Sequence, residues 1–197
     1  FKTYIIWTYT FANKDNYQTF DEAKEKSEIK ELADYLFRSF NGTGKIFILK
    51  NWELDNVGLA GLVSSGVDPA QVSIPQDRIN NMIRWLNIRQ AAVKEARAES
   101  KQKGFRDVWV NHAIEINSVI DARGGTFNRA ITHVVPLVNP DMVAYSAYDS
   151  TTYQTLLSGQ NLENEISSRL SLAVSTIFSN FTADNLLLGK RRVFISE

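Results

Sequence analysis

Hydrophobic residues along the chain fall into runs that alternate between the two-residue repeat of strands and the longer repeat of helices. Residues 1–11 form a strand-like run, and residues 21–40 carry apolar side chains at helical spacing after a start rich in charged residues. The elements predicted after them are a strand from Lys45 to Glu53, a long loop at 54–74, a helix at about 75–100, strands at 107–117 and 141–149, a helix at 162–177 and a strand at 192–197.

Strands separated by helices predict a parallel sheet, because a parallel connection needs a crossover about as long as a helix. The predicted fold class is therefore α/β. Five such strands fit either an open, doubly wound sheet or part of a (β/α)₈ barrel. The sequence has no glycine-rich strand-to-helix turn of the dinucleotide or P-loop kind, so the residues at the strand ends favour the barrel.

Composition limits the partners that the chain can bind. With 197 residues, 44% of them hydrophobic, residues 1–197 are expected to form a single domain. Lys plus Arg and Asp plus Glu number 22 each, so no net charge attracts nucleic acid or an anionic membrane. The sequence has no cysteine, which excludes disulfides and a thiolate nucleophile. It also has no apolar run long enough for a membrane span.

Two glutamates each close a short apolar run. Glu53 ends the run that begins at Lys45, and Glu197 ends the run that begins at Arg192. Barrels of this kind display their chemistry at the carboxyl ends of the strands, where two carboxylates facing one cleft can cleave a glycosidic bond. Either glutamate taken alone is more typical of a solvated strand end.

Four runs in order resemble strands four to seven of a retaining (β/α)₈ glycoside hydrolase. They are Ile48–Asn56, His112–Asn117, Ala144–Asp149 and Val193–Glu197. The resemblance covers nearly the whole chain and makes its first strand the third of the barrel. Strands one, two and eight would then lie outside this sequence, and a partial barrel leaves sheet edges bare. The resemblance thus implies a fragment of a longer protein, with the rest of the barrel as its partner.

The resemblance also implies roles for individual residues. In this clan the glutamate after strand four is the general acid/base and the one after strand seven is the nucleophile, which places these roles on Glu53 and Glu197. Glu53 must then hold a proton while Glu197 stays ionised, and no cofactor is needed. Tyr145 is expected to donate a hydrogen bond to the nucleophile. The residues expected to contact a carbohydrate substrate are Asn51, Trp52, His112, Glu115, Asn117, Tyr145 and Tyr148.

The chain departs from the clan at one position. The clan has asparagine directly before the acid/base glutamate, where it contacts the sugar 2-hydroxyl, whereas Trp52 intervenes here. Because side chains alternate along a strand, Asn51 and Glu53 are predicted to share a face. Asn51 would then contact the sugar 2-hydroxyl from a position one residue further from the glutamate.

Several candidates have a structural interpretation that competes with the functional one. Glu115, Asn117 and His112 fit hydrogen-bonded positions inside a barrel equally well. Of the four tryptophans, Trp52 adjoins a candidate carboxylate and suits stacking on a pyranose ring, whereas the others fit core positions better. His133 has no acidic or histidine neighbour at ligand spacing, so no metal site is predicted.

Two sequons, at Asn41 and Asn180, accept N-linked glycans if the chain enters a secretory pathway. Each follows a predicted helix and precedes a predicted strand, at the end of the barrel opposite the catalytic residues. Glycans there would not obstruct a substrate. An extracellular or secreted glycoprotein is therefore expected.

Together these features predict a retaining glycoside hydrolase that acts on a polysaccharide or an oligosaccharide. The alternative is a non-catalytic carbohydrate-binding or structural glycoprotein on the same barrel, since fold does not fix function. A third interpretation, an open sheet with unrelated chemistry, predicts that the strand ends do not converge on one cleft.

Overall fold

Five short strands form the sheet of this protein, which we describe from a computed structural model. The structure describes residues 2–14, 16–151, 162–181 and 192–196. Each strand lies inside a run predicted as a strand and is shorter than that run. The strands are β1 (Thr3–Trp7), β2 (Lys45–Lys50), β3 (Val108–Ile116), β4 (Met142–Tyr145) and β5 (Val193–Ile195).

Long and short helices connect the strands. The Asp21 carboxylate begins the first of them by accepting a hydrogen bond from the Lys24 amide at 3.1 Å, as an N-cap residue does. The helices are α1 (Glu22–Ser39), α2 (Leu54–Leu59), α3 (Gln76–Gln102), α4 (Ala130–His133), α5 (Tyr148–Thr151) and α6 (Leu162–Asn180), with 3₁₀ turns at Pro69–Gln71, Asp121–Gly124 and Val135–Leu137.

The strand order is β1-β2-β3-β4-β5, and every neighbouring pair is parallel. A sheet whose crossovers all advance in one direction with one hand carries its helices on one face. A doubly wound sheet reverses its order and has helices on both faces. The structure confirms the predicted α/β class as a curled, parallel, five-stranded sheet.

The long helices cover one face of the sheet, which we call the helix-covered face. Phe47, Leu49 and Val110 point to this face and form an apolar core with α1 and α3. Ile114 and Tyr145 join α3 and α6 in the larger core on the same face. Since residues alternate along a strand, the intervening side chains all point the other way.

The opposite side of the sheet is named here the open face. Its small apolar cluster consists of Ile48, Ala113 and Met142, and no described helix contributes to that cluster. Near the carboxyl ends of the strands this face becomes polar. Lys50 of β2 and Glu115 of β3 form a buried ion pair there.

The connection after β2 differs from the predicted loop. The strand ends at Lys50 rather than Glu53, and α2 begins directly after Glu53. A β-carbon at Gly58 would lie 2.8 Å from Cε of Met82 and 2.9 Å from Cδ1 of Ile74. Glycine therefore lets α2 pack closely on the core, which local composition does not reveal.

A buried ion pair joins α1 to α3. Nε of Arg89 donates to Oε1 of Glu25 at 2.6 Å, and both side chains are fully buried. Thr10 Oγ1 and Asn13 Nδ2 donate to the other carboxylate oxygen, and Arg89 Nη1 donates to the Thr8 carbonyl oxygen. The pair thus fastens the loop at the carboxyl end of β1 to the helices.

Candidate functional site

Glu53 lies at the carboxyl edge of the sheet, three residues after β2. Its side chain is only 3% exposed, and Oε1 accepts a hydrogen bond from Ser146 Oγ at 2.6 Å. Ser146 follows β4 directly and continues the alternation of Met142 and Ala144, which places it on the open face. β2 and β4 are not neighbours in the sheet, so this hydrogen bond reaches across the end of β3.

The second carboxylate oxygen of Glu53 is held from α2. Asn56 Nδ2 donates to Oε2, and Asn56 Oδ1 accepts a hydrogen bond from Asn117 Nδ2 at 2.9 Å. This second bond orients the Asn56 amide so that its nitrogen faces Glu53. Side chains that follow β2, β3 and β4 therefore organise one buried carboxylate.

Asp55 holds α2 in place. Its Oδ2 accepts the backbone N–H groups of Asn117 and Ser118, each at 3.2 Å, and its Oδ1 accepts that of Ala130 at 2.8 Å. Burial raises the pKa of the Asp55 carboxyl, and the three N–H groups oppose that rise. Asp55 therefore connects the segments that follow β2 and β3.

Glu115 joins the two strand ends on which catalytic residues are predicted. It is fully buried, and its Oε1 accepts from Lys50 Nζ. Its Oε2 accepts the backbone N–H of Glu53 at 3.2 Å, and Oε1 also accepts the Ser196 hydroxyl at 2.5 Å. Glu197, the predicted nucleophile, lies outside the described residues. Ser196, the residue before Glu197, and the backbone of Glu53 therefore donate to the same Glu115 carboxylate.

Asn51 and Trp52 lie between β2 and Glu53. The Asn51 amide donates to the carbonyl oxygens of Trp52 and Glu115 at 3.0 and 3.4 Å, and its oxygen accepts the Glu115 N–H at 3.3 Å. The Asn51 side chain therefore prolongs the pairing of β2 with β3, and its hydrogen bonds within the described residues go to the backbone of Trp52 and Glu115. Trp52 is partly exposed and keeps an accessible aromatic surface.

His112 lies on the helix-covered face of β3, away from the open face. Its Nδ1 is 2.9 Å from Gln90 Oε1, and because Gln90 Nε2 donates to Asp141, we assign the proton to Nδ1. Burial, aided by the nearby Arg89 charge, lowers the pKa of His112 to about 3. His112 is therefore neutral at ordinary pH and packs α3 against the sheet.

Tyr145 also points to the helix-covered face. Its hydroxyl bonds to Asp149 and Ser150 of α5, and burial raises the pKa of Tyr145 well above its usual range. Asp149 Oδ2 accepts the Ile120 N–H at 2.6 Å, which ties α5 to the segment after β3. Tyr148 is exposed at the start of α5.

Asp149 predicts a pH dependence of stability. Burial raises its pKa to about 6, compared with about 3.9 in an unfolded chain. The folded state then retains a proton that the unfolded state releases, so the free energy of unfolding should fall as the pH rises from about 4 to above 6. This fall is on the order of 3 kcal/mol. Urea denaturation across this range should show it, and an equal fall in Asp149→Asn would contradict its assignment to Asp149.

The sequence-based interpretation did not include three residues of the site, which are Lys50, Asn56 and Ser146. One signal was present for Lys50, which is the only charged residue in the run from Ile46 to Trp52. A lysine in a buried strand requires a partner of opposite charge, which here is Glu115. Asn56 and Ser146 carry no comparable signal, because polar residues after a strand are common.

The two sequons have different surroundings. Asn41 is exposed in the turn after α1, where its oxygen accepts the Arg106 N–H at 2.8 Å. This turn lies at the amino ends of β2 and β3, away from Glu53. Asn180 ends α6 and donates its Nδ2, the atom that would carry a glycan, to the Thr176 carbonyl oxygen at 2.9 Å. Asn41 is therefore the better acceptor.

Comparisons with family models, curated proteins and solved structures found no match for this chain. The assignment of the candidate site therefore depends on the geometry of its residues alone. In the described ranges, no helix combines the length and apolar character needed to cross a bilayer. The same ranges contain no group of His, Cys, Asp and Glu side chains suited to holding a metal ion.

Proposed function

We propose that this chain is the catalytic part of a retaining glycoside hydrolase, with Glu53 as general acid/base and Glu197 as nucleophile. The proposal rests on the two contacts of Glu115, which accepts the Glu53 N–H at 3.2 Å and the Ser196 hydroxyl at 2.5 Å. Retaining enzymes need their two carboxyl groups about 5–5.5 Å apart. A carboxylate shared by the two strand ends favours such an approach.

A section of a (β/α)₈ barrel is the corresponding proposal for the fold. It is supported by the sequential parallel strand order, the curl and the helices on one face. The open face would be the interior of the barrel. The remaining strands of a longer protein would pair with the outer edges of β1 and β5.

The hydrogen bonds to Glu53 suit it to the proposed role. Ser146 and Asn56 bind one carboxyl oxygen each and so fix the direction of the group before substrate arrives. Glu53 would protonate the departing oxygen while Glu197 forms the covalent glycosyl intermediate. Glu53 would then accept a proton from the water that cleaves this intermediate.

A non-catalytic carbohydrate-binding or structural role is the second candidate, and one observation favours it. The residue that resembles the clan's contact to the sugar 2-hydroxyl is Asn51, and both ends of its amide are engaged with the backbone of Trp52 and Glu115. A protein that had lost turnover could tolerate this arrangement.

Hydrolysis of aryl glycosides distinguishes the two candidates. We expect the protein to release 4-nitrophenol from at least one of a panel of 4-nitrophenyl glycosides, and proton NMR should show that the first sugar product retains its anomeric configuration. Inverted product would contradict the role of Glu197. Oligosaccharide binding without release would favour the non-catalytic candidate.

We also propose that the protein is secreted and glycosylated at Asn41, because that side chain is exposed far from the catalytic edge. Mass spectrometry of the protein expressed in a eukaryotic secretory pathway should detect a glycan on the Asn41 peptide. Asn41→Gln should remove it. An unmodified Asn41 peptide would contradict this part of the proposal.

A further inference from the structure

A cavity of about 350 Å³ lies on the open face beside the proposed catalytic edge. Its walls are Ile5 and Trp7 of β1, Lys50 of β2 and Ser196 after β5. β1 and β5 are at opposite ends of the strand order, so the curl of the sheet brings these walls together. The volume falls within the range of about 300–1,000 Å³ that is typical of small-molecule sites.

Trp7 supplies an aromatic wall to this cavity. Its neighbour Ile6 packs on the helix-covered core, so Trp7 points to the open face, where it is 49% exposed. Lys50 Nζ lies 4.9 Å from the centre of the Trp7 ring and holds it by a cation–π contact. Ile5 extends the apolar surface along the same strand. A ring fixed in this way and open on one side offers a flat surface for the C–H face of a sugar.

The polar part of the wall carries balanced charge. Lys50 is buried and paired with Glu115, whose carboxylate also accepts the Ser196 hydroxyl. The positive charge of Lys50 is therefore compensated within the protein. A ligand rich in hydroxyl groups but without charge suits such a wall better than an anion does.

We propose that this cavity is a subsite for a neutral sugar unit, with Trp7 as its stacking platform. The inference rests on the proposed function, because the cavity and Glu53 share the Lys50–Glu115 pair. It places the platform on β1 rather than on Trp52 and restricts the substrate to neutral saccharides. The distal part of a bound oligosaccharide would lie on Trp7 while the bond to be cleaved lies at Glu53.

Isothermal titration calorimetry tests the subsite with three neutral probes, cellohexaose, xylohexaose and mannohexaose, and with oligogalacturonate as the charged contrast. We expect at least one neutral probe to bind, Trp7→Ala to weaken that binding by about tenfold or more, and Trp7→Phe to retain most of it. Trp109→Ala is the matched control. Trp109 is 40% exposed on the same face but lies near the amino end of β3, so its removal should leave the affinity unchanged.

Three results would overturn the inference: equal affinity in Trp7→Ala, stronger binding of oligogalacturonate than of any neutral probe, or no binding of any probe by the unaltered protein. Thermal melts followed by circular dichroism would show whether each variant is folded. A different result would contradict the proposed function and leave the subsite intact. If Trp7→Ala loses binding while the unaltered protein hydrolyses no glycoside, the subsite stands and the hydrolase does not.

Discussion

Arg89→Met should lower the free energy of unfolding by about 3–5 kcal/mol, because it leaves the Glu25 carboxylate buried without its cationic partner. The change also removes the hydrogen bond to the Thr8 carbonyl oxygen and the packing of the guanidinium 3.9 Å from the centre of the Trp85 ring. Urea denaturation followed by circular dichroism measures the loss. The double variant Glu25→Leu with Arg89→Met should recover part of it, because no unpaired charge remains.

The same two helices carry a matched control for this prediction. Nε of Arg84 lies 2.6 Å from Oε1 of Glu22, the same distance as in the buried pair, but these side chains are 58% and 50% exposed. Arg84→Met should therefore cost less than about 1 kcal/mol. Similar losses in the two variants would show that burial of the Arg89 pair is not the cause.

Glu53→Gln should lower kcat by a factor on the order of 10²–10⁴, the usual contribution of a general acid/base. The variant should keep its fold, because glutamine has the same shape and its amide can still bond to Ser146 and Asn56. The loss should be largest for substrates with poor leaving groups, since these depend most on proton donation. Initial rates over a series of aryl glycosides with leaving groups of different acidity measure this dependence.

Two further variants sharpen the test of Glu53. Ser146→Ala removes one hydrogen bond but leaves the carboxylate in place, so we expect a smaller loss, of about tenfold. Glu95→Gln, at an exposed position of α3, should not change the rate. A rate in Glu53→Gln equal to that of the unaltered protein would reject Glu53 as the acid/base.

The periodicity of the long helices was strong enough to predict them from the sequence. The helix expected at 21–40 is α1, and the helix expected from about residue 75 to 100 is α3. Both carry an extended apolar stripe that matches the helical repeat. α2 was missed because it is short and rich in loop-forming residues, and its packing depends on the absence of a side chain at Gly58.

The candidate site was predicted only in part. Glu53, Glu115 and Asn117 all reach the carboxyl edge of the sheet, where hydrogen bonds link them directly or through Asn56. Tyr145 and His112 instead point to the helix-covered face. β4 and most of β3 are buried on both sides, so their sequences do not show which alternating set faces the helices.

The sequence by itself determined the succession of strands and long helices, and with it the α/β class, because the repeat of apolar residues is a local property of the chain. It also placed a carboxylate just beyond β2. Only the tertiary structure decided which side chains hold that carboxylate. The contacts of Glu53 with Ser146 and of Glu115 with Ser196 join residues 93 and 81 positions apart, and such contacts depend on the curl of the sheet and on the face to which each strand turns its side chains.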